Sequence, residues 1–408
     1  MSYAIAMLSV HTSPLDAPGR TRTAGGMNVY IRELALALAR QNITVDIFTR
    51  RTNEHIPQIV SLSPRVRVIH IGTGLAAPID KNDLYQHLPT FIHNIEAFRK
   101  KEGLRYDVLH SHYWLSGVAA HHLARIWDVP HVTMFHTLAR LKELASQDTG
   151  TEPALRLEME QRLLQQADRI IAATDDERTQ MMRHCGATAQ RVTVIPCGVD
   201  LTLFQPHSKQ AARTQLGLDP QRSVLLFAGR LDPFKGPDLL LRAAALMQED
   251  AQVLIVGGKL SGDKDVRALR QLASELRIRE RVSFLGARPQ QEMPQFYSAA
   301  DVTVIPSYHE TFGLAAVESL ACGTPVVATR AGGLTTVVRH GETGFLVPRC
   351  PGFFAERLDT LLRDNELLAS MQGASRASVA QFSWEHVAAR VRELYEEVSS
   401  DMSCLAAQ

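Results

Sequence analysis

Cysteine is scarce in this chain, and its copies are far apart. None of the five cysteines forms a C-x-x-C pair, so the sequence offers neither a disulfide framework nor the ligand spacing of a zinc site. They are Cys185, Cys197, Cys322, Cys350 and Cys404. This pattern indicates a reduced environment, and we expect a cytoplasmic protein.

An excess of charge of one sign is also missing. The chain has 44 lysines and arginines against 43 aspartates and glutamates, which gives a net charge of +1. This balance excludes a strong field that would attract nucleic acid or an acidic membrane. The apolar stretch 1–10 is too short to span a bilayer and lacks the basic start and cleavage site of a signal peptide. It predicts a first buried strand.

Strand-like apolar runs alternate with segments of helical periodicity along the chain. This alternation predicts an α/β fold with parallel sheets that are covered on both faces. The expected strands are 5–10, 45–49, 66–71, 108–110, 131–135, 170–173, 192–195, 224–228, 253–256, 282–285, 302–305 and 326–328. The expected helices are 29–40, 84–101, 117–126, 154–167, 238–247, 266–276, 290–299, 314–321 and 384–398.

The length of 408 residues, 45% of them hydrophobic, is enough for two cores. A polar, proline-containing piece that ends at Asp219 predicts a linker between them. We therefore expect two Rossmann-like domains, 1–203 and 204–383, that face each other across a cleft. Residues 384–408 form a last helix, and whether it packs back on the first domain stays open. Ligands of such sheets bind outside the carboxyl ends of the strands.

The segment from Pro306 to Thr324 places two carboxylates beside a helix start. Glu310 lies in the loop after an apolar strand, and Glu318 lies about one turn inside the next helix. Backbone N–H groups at a helix start bind anions, and carboxylates accept hydrogen bonds from sugar hydroxyls. The pattern predicts a ligand that has both phosphate and hydroxyl groups. The alternative is that the two glutamates are a cap and a solvated helix residue.

Other strand ends carry further candidate ligands. Arg230 and Lys235 follow the first strand of the second half and could clamp a diphosphate, although solvated cations are the alternative. Gly26, at a helix start, and Arg288, after a strand, are weaker candidates for phosphate and base contacts, because either could belong to a plain turn.

Histidines stand at two strand ends of the first half. His136 follows one strand and could hydrogen-bond a bound sugar or a reacting group, although a structural role is the alternative. His110 and His112 have a spacing that could suit a metal, but no third ligand cluster is visible. We therefore predict no bound metal site and no required cofactor, and a loosely held Mg²⁺ stays open.

Three motifs together resemble the retaining glycosyltransferases of family 4, which have the GT-B fold. They are Gly229 to Gly236, Val194 to Asp200, and the pair Glu310 and Glu318 that closes on Gly323 to Val326. The resemblance covers nearly the whole chain and implies sugar transfer from a nucleotide-diphospho-sugar with retention at the anomeric carbon. A uridine donor such as UDP-GlcNAc is our first expectation.

The resemblance also implies roles for individual residues. The matching arginine and lysine, Arg230 and Lys235, hold the diphosphate, and Glu318 binds the ribose hydroxyls. Glu310 binds the donor sugar with the backbone of Phe312, Gly313 and Leu314. The catalytic set is His136, Glu310, Arg230 and Lys235, and the donor set is Gly26, Arg230, Lys235, Arg288, Glu310, Phe312, Gly313, Leu314 and Glu318.

The segments 11–15 (His-Thr-Ser-Pro-Leu) and 24–30 (Ala-Gly-Gly-Met-Asn-Val-Tyr) resemble the start of the D-inositol-3-phosphate glycosyltransferases of mycothiol synthesis. The similarity implies a cup for the phosphate of an acceptor, with two cations and several neutral donors. Its residues are His11, Asn28, Lys81, Tyr113, Thr137 and Arg156. The loop 16–23 differs from that subfamily in length, has Thr23 in place of an aspartate, and gains Arg20 and Arg22. We therefore expect the acceptor to be a small phosphorylated polyol or sugar, with inositol phosphate the first choice.

Three alternatives stay open at this point. The acceptor could be a hexose phosphate, as in sucrose-phosphate synthases. It could be a lipid at a membrane surface, bound by a basic amphipathic helix at 84–101. The protein could also be an epimerase or a nucleotide-sugar binder of the same fold. A homodimer is neither required nor excluded.

Overall fold

The structure is a computed structural model that describes residues 3–16, 25–74, 77, 79–145, 152–260 and 262–406, with side chains to residue 402. The chain divides into two units, each with its own sheet and hydrophobic core. The first unit contains most of the chain before Pro196 and the segment that starts at Trp384, and the second contains Cys197–Ser383.

The first unit is built on an eight-stranded sheet with the order β3-β4-β2-β1-β5-β6-β7-β8. All neighbours are parallel except β3 and β4, which are antiparallel. The strands are β1 (Ala4–Ser9), β2 (Thr44–Arg50), β3 (Ile59–Ser63), β4 (Val66–Ile71), β5 (Val108–His112), β6 (His131–Met134), β7 (Arg169–Ala172) and β8 (Val192–Val194). Apart from β3, these strands match the expected apolar runs to within one to three residues at each end.

Helices connect most of the parallel strands, because parallel neighbours need a crossover connection. They are α1 (Gly26–Arg40), α2 (Leu88–Lys101), α3 (Trp114–Trp127), α4 (Ala139–Ala145), α5 (Ala154–Gln166) and α6 (Asp175–Cys185). Leu88, Phe91, Ile95 and Phe98 of α2 are buried in the core of this unit. The apolar face of the segment 84–101 is therefore occupied by the core, and this removes the main argument for a membrane-binding helix there.

The second unit has a six-stranded parallel sheet with the order β11-β10-β9-β12-β13-β14. The strands are β9 (Ser223–Ala228), β10 (Ala251–Val256), β11 (Val282–Gly286), β12 (Val302–Ile305), β13 (Val326–Thr329) and β14 (Gly344–Val347). The helices are α7 (Lys209–Gln215), α8 (Pro237–Leu246), α9 (Lys264–Glu275), α10 (Met293–Ala299), α11 (Leu314–Ala321), α12 (Leu334–Val337), α13 (Pro351–Arg363) and α14 (Asn365–Ser378). The last helix of the chain, α15 (Trp384–Ala406), belongs to the first unit.

The expected linker before Asp219 is wrong, because this segment contains α7. Ser208 caps the helix by accepting the N–H of Ala211 at 3.3 Å. The buried Arg213 donates to Asp301 at 2.7 Å, so a polar helix is held to the second unit by an ion pair.

The structure divides after Pro196 rather than after residue 203. The N–H of Val199 donates to the carbonyl of Phe382 at 2.7 Å, which ties this stretch to the second unit. Within the first unit, α15 packs beside α1: the Trp384 ring lies 5.5 Å from that of Tyr30, and the Tyr395 hydroxyl lies 2.6 Å from Nδ1 of His110.

Each sheet has one point at which the strand order reverses. In the first sheet it lies between β1 and β5, and in the second between β9 and β12. Loops that leave neighbouring strands at such a point turn to opposite faces of the sheet, and the crevice between them is where α/β proteins bind ligands. Most of the predicted site residues follow these strands or their neighbours.

Candidate active site

The loop after β1 in the first unit is fixed by Asn28. This side chain is 1% exposed, and its Nδ2 donates to Oγ1 of Thr12 at 2.7 Å and to the carbonyl of Ser13 at 2.5 Å. The Oγ of Ser9 also donates to the carbonyl of Thr12, at 2.7 Å. Asn28 therefore positions the loop that carries His11. Gly26 is the first residue of α1, and the loop residues Arg20, Arg22 and Thr23 lie outside the described residues.

Four of the predicted acceptor residues form one connected group. The rings of His11 and Tyr113 lie 4.3 Å apart, and the guanidinium of Arg156 lies 4.9 Å from the centre of the Tyr113 ring. Arg156 Nη2 donates to the carbonyl of Thr137 at 3.0 Å and to its Oγ1 at 3.3 Å. His11, Tyr113 and Thr137 follow the ends of β1, β5 and β6, and Arg156 lies in α5, so the fold brings together residues that are far apart in sequence.

Lys81 interacts electrostatically with Arg156 and His11 of this group. It is half-buried, and its pKa is lowered by burial first and by the nearby Arg156 second. Burial, followed by Lys81, lowers the pKa of His11 to about 3, so this imidazole is neutral at pH 7. A neutral histidine can accept or donate a hydrogen bond without adding a positive charge that the two neighbouring cations would repel.

Two carboxylates that the sequence analysis missed surround Arg156. Its Nε donates to Glu160 Oε1 at 2.7 Å, and its Nη1 donates to Glu152 Oε2 at 2.7 Å. The second oxygen of Glu160 accepts the N–H of Ala139 at 2.7 Å. Burial raises the pKa of Glu160 to about 7, although Arg156 acts in the opposite direction. The spacing of Glu152, Arg156 and Glu160 at four-residue intervals was the available signal.

Two non-glycine residues that follow neighbouring strands of the first unit have a positive backbone φ angle. Tyr113, after β5, has φ 74°, and His136, after β6, has φ 60°. Such backbone conformations are costly outside glycine and cluster at functional sites. The N–H of Tyr113 donates to the carbonyl of Met134 at 2.9 Å, which ties the two strand ends together.

His136 belongs to a buried cluster of rings. Its Nε2 lies 3.1 Å from Nδ1 of His112, and the Tyr30 ring meets it edge-on at 5.2 Å. Burial lowers the pKa of His136 to about 3, so its imidazole is neutral at pH 7. Among the described residues, no group of three histidines, cysteines or carboxylates has an arrangement that could hold a metal ion.

In the second unit, Lys235 and Glu310 form an ion pair, although they lie in separate loops of the sequence. Lys235 Nζ donates to both oxygens of Glu310 at 2.8 Å, and Ser307 Oγ donates to one of them at 2.7 Å. Burial acts to raise the pKa of Glu310, but the charge and hydrogen bond of Lys235 outweigh it, and the net pKa is lowered. Glu310 is therefore ionised at neutral pH and orients the ammonium of Lys235.

Glu318 has a different environment on α11. It accepts the hydroxyl of Tyr297 at 2.8 Å and Nε2 of Gln290 at 3.4 Å. Burial raises its pKa to about 7, and among the described residues no cation compensates for the desolvation of the carboxylate. The ionisation state of the Glu318 carboxyl therefore changes near neutral pH.

Glycine shapes the backbone around Glu310. Gly313 has φ 98° and precedes α11, and a Cβ there would lie 2.8 Å from Cδ2 of Leu334. The Phe312 side chain is buried against Phe382, with ring centres 5.3 Å apart, so Phe312 can offer a ligand only its backbone. Leu314 is the first residue of α11, where backbone N–H groups lack partners within the helix.

The two arginines of the predicted donor set remain at strand ends. Arg230, after β9, forms a 3.2 Å ion pair with Asp232, and Arg288, after β11, donates to the carbonyl of Leu285 at 3.2 Å. The sequence analysis missed the glycine pair after β10. A Cβ on Gly257 would lie 1.8 Å from the carbonyl oxygen of Gly229, so only glycine allows the loops after β9 and β10 to approach.

Two known families match the chain in sequence. Residues 24–203 match the family described as Glycosyltransferase Family 4, and residues 208–378 match Glycosyl transferases group 1. The D-inositol 3-phosphate glycosyltransferase of Thermobispora bispora is 44% identical, over 96% of this chain and 94% of its own length. The chain belongs to glycosyltransferase family 4. This finding confirms the prediction of a glycosyltransferase and its similarity to the D-inositol-3-phosphate group.

Further relatives of this glycosyltransferase carry the same name. The D-inositol 3-phosphate glycosyltransferase of Nocardia farcinica is 44% identical over 96% of this chain and 88% of its own length. That of Corynebacterium jeikeium is 41% identical over 97% of this chain and 96% of its own length.

Solved structures confirm the GT-B fold of the glycosyltransferase. Sucrose-phosphate synthase (tll1590) from Thermosynechococcus elongatus matches with a TM-score of 0.91 and 34% identity, over 98% of this chain and 100% of that chain. Anabaena Alr3699/HepE in complex with UDP-glucose has a TM-score of 0.76 at 24% identity over 97% and 99%, which is a likeness of fold alone. Within the described part of the glycosyltransferase, no helix has the length and apolar character needed to cross a membrane.

Proposed function

We propose that this glycosyltransferase transfers a sugar from a uridine diphospho-sugar, such as UDP-GlcNAc, to inositol phosphate with retention at the anomeric carbon. The acceptor part of the proposal rests on the group formed by Lys81, Arg156, Tyr113, Thr137 and His11 in the first unit. It combines two cations with a ring, a hydroxyl and a neutral histidine, a composition that suits a sugar-like phosphate. Relatives with 40–44% identity that are named D-inositol 3-phosphate glycosyltransferase support the same acceptor.

The donor part of the proposal rests on the second unit. Lys235 and Arg230 would hold the diphosphate, and Glu318 would accept hydrogen bonds from the ribose. Glu310 would bind the hydroxyls of the transferred sugar while it keeps Lys235 in place, since one carboxylate oxygen has further acceptor sites beyond its bond to the ammonium. The backbone at Gly313 and Leu314 would add N–H donors.

The reaction we propose takes place on one face of the donor sugar. The acceptor hydroxyl oxygen forms a bond to the anomeric carbon while the bond from that carbon to the diphosphate oxygen breaks. The proton of the hydroxyl passes to the leaving diphosphate. Lys235 and Arg230 stabilise the negative charge that develops on the diphosphate, which is a large term in such catalysis. Glu310 and Glu318 already bind Lys235 and Tyr297, and this favours direct transfer over a covalent glycosyl-enzyme.

The same two cations support the proposal that no metal cofactor is required. Activity that persists in excess chelator would support it, and full loss that Mg²⁺ alone restores would contradict it. A cytoplasmic location and a possible homodimer stay predictions.

The experiment that tests the function is a nucleotide-release assay. Purified protein is given UDP-, ADP- or GDP-sugars, each with and without inositol phosphate, fructose 6-phosphate or glucose 6-phosphate. We expect release of UDP that depends on inositol phosphate, and an NMR spectrum of the product with the donor's anomeric configuration. Release with none of the acceptors, or an inverted product, would contradict the proposal.

A hexose phosphate is the second candidate acceptor. It is favoured by the 34% identity and TM-score of 0.91 to sucrose-phosphate synthase. Both acceptors present a phosphate to the same cup, so the difference lies in the recognition of the ring. Release only with fructose 6-phosphate or glucose 6-phosphate would select this alternative.

A further inference from the structure

A carboxylate bridges two cations beside the predicted acceptor residues. Lys142, on α4, donates its ammonium to Glu152 Oε1, and Arg156 Nη1 donates to Glu152 Oε2 at 2.7 Å. The Glu152 side chain is 8% exposed, and that of Lys142 is 44% exposed. The proposed function assigns no role to Lys142 or Glu152.

The two carboxylates on Arg156 are held in different ways. Glu160 lies inside α5 and also accepts the backbone N–H of Ala139 at 2.7 Å, so its position is set by the fold. Glu152 precedes α5, and its two oxygens accept from the side chains of Lys142 and Arg156. Glu160 can keep Arg156 in place if Glu152 leaves.

The two cations that bind Glu152, namely Arg156 and Lys142, also act electrostatically on Lys81. Arg156 and Lys142 both lower the pKa of Lys81, and Glu152 acts in the opposite direction. The three cations carry +3, Glu152 and Asp80 each contribute −1 near Lys81, and Glu160 adds negative charge beside Arg156 when it is ionised. A phosphate dianion uses the same N–H donors as a carboxylate and carries about twice its charge. The carboxylate therefore occupies donors that a phosphate would bind more strongly.

We propose that Lys142 is a third cation of the acceptor phosphate site, and that the Glu152 carboxylate occupies the place of the phosphate until the acceptor displaces it. This inference rests on the acceptor site of the proposed function. Its consequence is selectivity, because only a ligand with a charge above that of the carboxylate displaces Glu152 efficiently. An unphosphorylated polyol leaves the Glu152 bridge intact, so the empty site discriminates against it.

Inorganic phosphate is the probe that tests the inference, because its binding does not depend on the identity of the acceptor. Its dissociation constant is measured by titration calorimetry with the full chain and with the variants Glu152→Gln, Lys142→Gln and Glu158→Gln. We expect Glu152→Gln to bind phosphate about tenfold more tightly, and Lys142→Gln to bind it about tenfold more weakly, the size of one charge-assisted contact. Glu158 lies on α5 in an exposed pair with Arg162, and its variant should match the wild type.

The opposite outcomes overturn the inference. They are an unchanged or weaker phosphate affinity in Glu152→Gln, or an unchanged affinity in Lys142→Gln. If Glu152→Gln does not fold, the Lys142→Gln variant still tests the inference, because the Lys142 side chain is half-exposed. If phosphate binding responds as expected but no sugar reaches inositol phosphate, the proposed function fails and this inference stands. In the transfer assay, Glu152→Gln should lower the KM for the phosphorylated acceptor and leave the KM for the donor unchanged.

Discussion

Replacing Glu318 with glutamine tests the donor half of the site, because it keeps the shape of the side chain and removes its charge. Two ribose hydroxyls that donate to a carboxylate form charge-assisted bonds of about 1.5–3 kcal/mol, against about 0.5–1.5 kcal/mol for a neutral acceptor. A net difference of about 1.4 kcal/mol corresponds to about tenfold in affinity. We expect Glu318→Gln to bind a nucleoside diphosphate about tenfold more weakly at pH 8.

The pKa of Glu318 adds a second, independent signature. Burial raises this pKa to about 7, so the carboxyl is neutral below that pH and ionised above it. Since the hydroxyls require the ionised form as their acceptor, nucleotide affinity rises with pH. A group with a pKa of about 7 that binds only when ionised gives about a tenfold rise between pH 6 and pH 8. Glutamine has no such titration, so the variant should lack this rise.

The assay is titration calorimetry at pH 6, 7 and 8 with UDP and with uridine. Uridine serves as the second ligand because it lacks the phosphates, which titrate near pH 6 themselves. Glu275→Gln, which changes an exposed carboxylate on α9, is the matched control. If Glu318→Gln binds within twofold of the wild type at pH 8, or keeps the wild-type pH dependence with uridine, then Glu318 does not bind the ribose as an ionised carboxylate.

Three further substitutions test other parts of the molecule. Lys81→Ala should raise the KM for the phosphorylated acceptor at least about tenfold, since it removes a charge-assisted contact, and leave donor binding unchanged in steady-state kinetics. Glu310→Ala should lower kcat about tenfold or more with little change in nucleotide affinity; equal losses of donor and acceptor binding in both variants would contradict this division of roles. Gly257→Ala should lower the unfolding free energy in urea by about 3 kcal/mol, because its Cβ would lie 1.8 Å from the Gly229 oxygen, whereas Gly373→Ala, in open space, should not destabilise.

Much of the architecture follows from local sequence. Continuous Val, Ile and Leu runs such as 224–228 and 302–305 are buried on both faces, so composition alone predicts central parallel strands. The edge strand β3 was missed because Ile59–Ser63 is only partly buried and has no clear alternation. The helix α7 was missed because its stabilising ion pair joins Arg213 to Asp301, and sequence patterns do not reveal a partner that far away.

In the candidate site, too, features that depend on nearby residues were predicted, and features that depend on contacts between distant residues were not. The spacing of Glu310 and Glu318 after a strand predicts two carboxylates beside a helix start, and the structure places them there. Their different environments could not be predicted, since Lys235 and Tyr297 reach them from other loops and helices. Glu152 was missed although its spacing to Arg156 was visible, because the segment before α5 has little helical pattern.

The return of α15 to the first unit has a consequence for synthesis on the ribosome. In the sequence, the second unit, from Cys197 to Ser383, separates α15 from the rest of the first unit. The hydroxyl of Tyr395 that meets His110 is therefore made only after the whole second unit has been translated. Proteins usually acquire structure from the amino terminus as they emerge. The second unit can therefore complete its core before α15 has been made. Until then, the face of α1 that packs against α15 stays exposed.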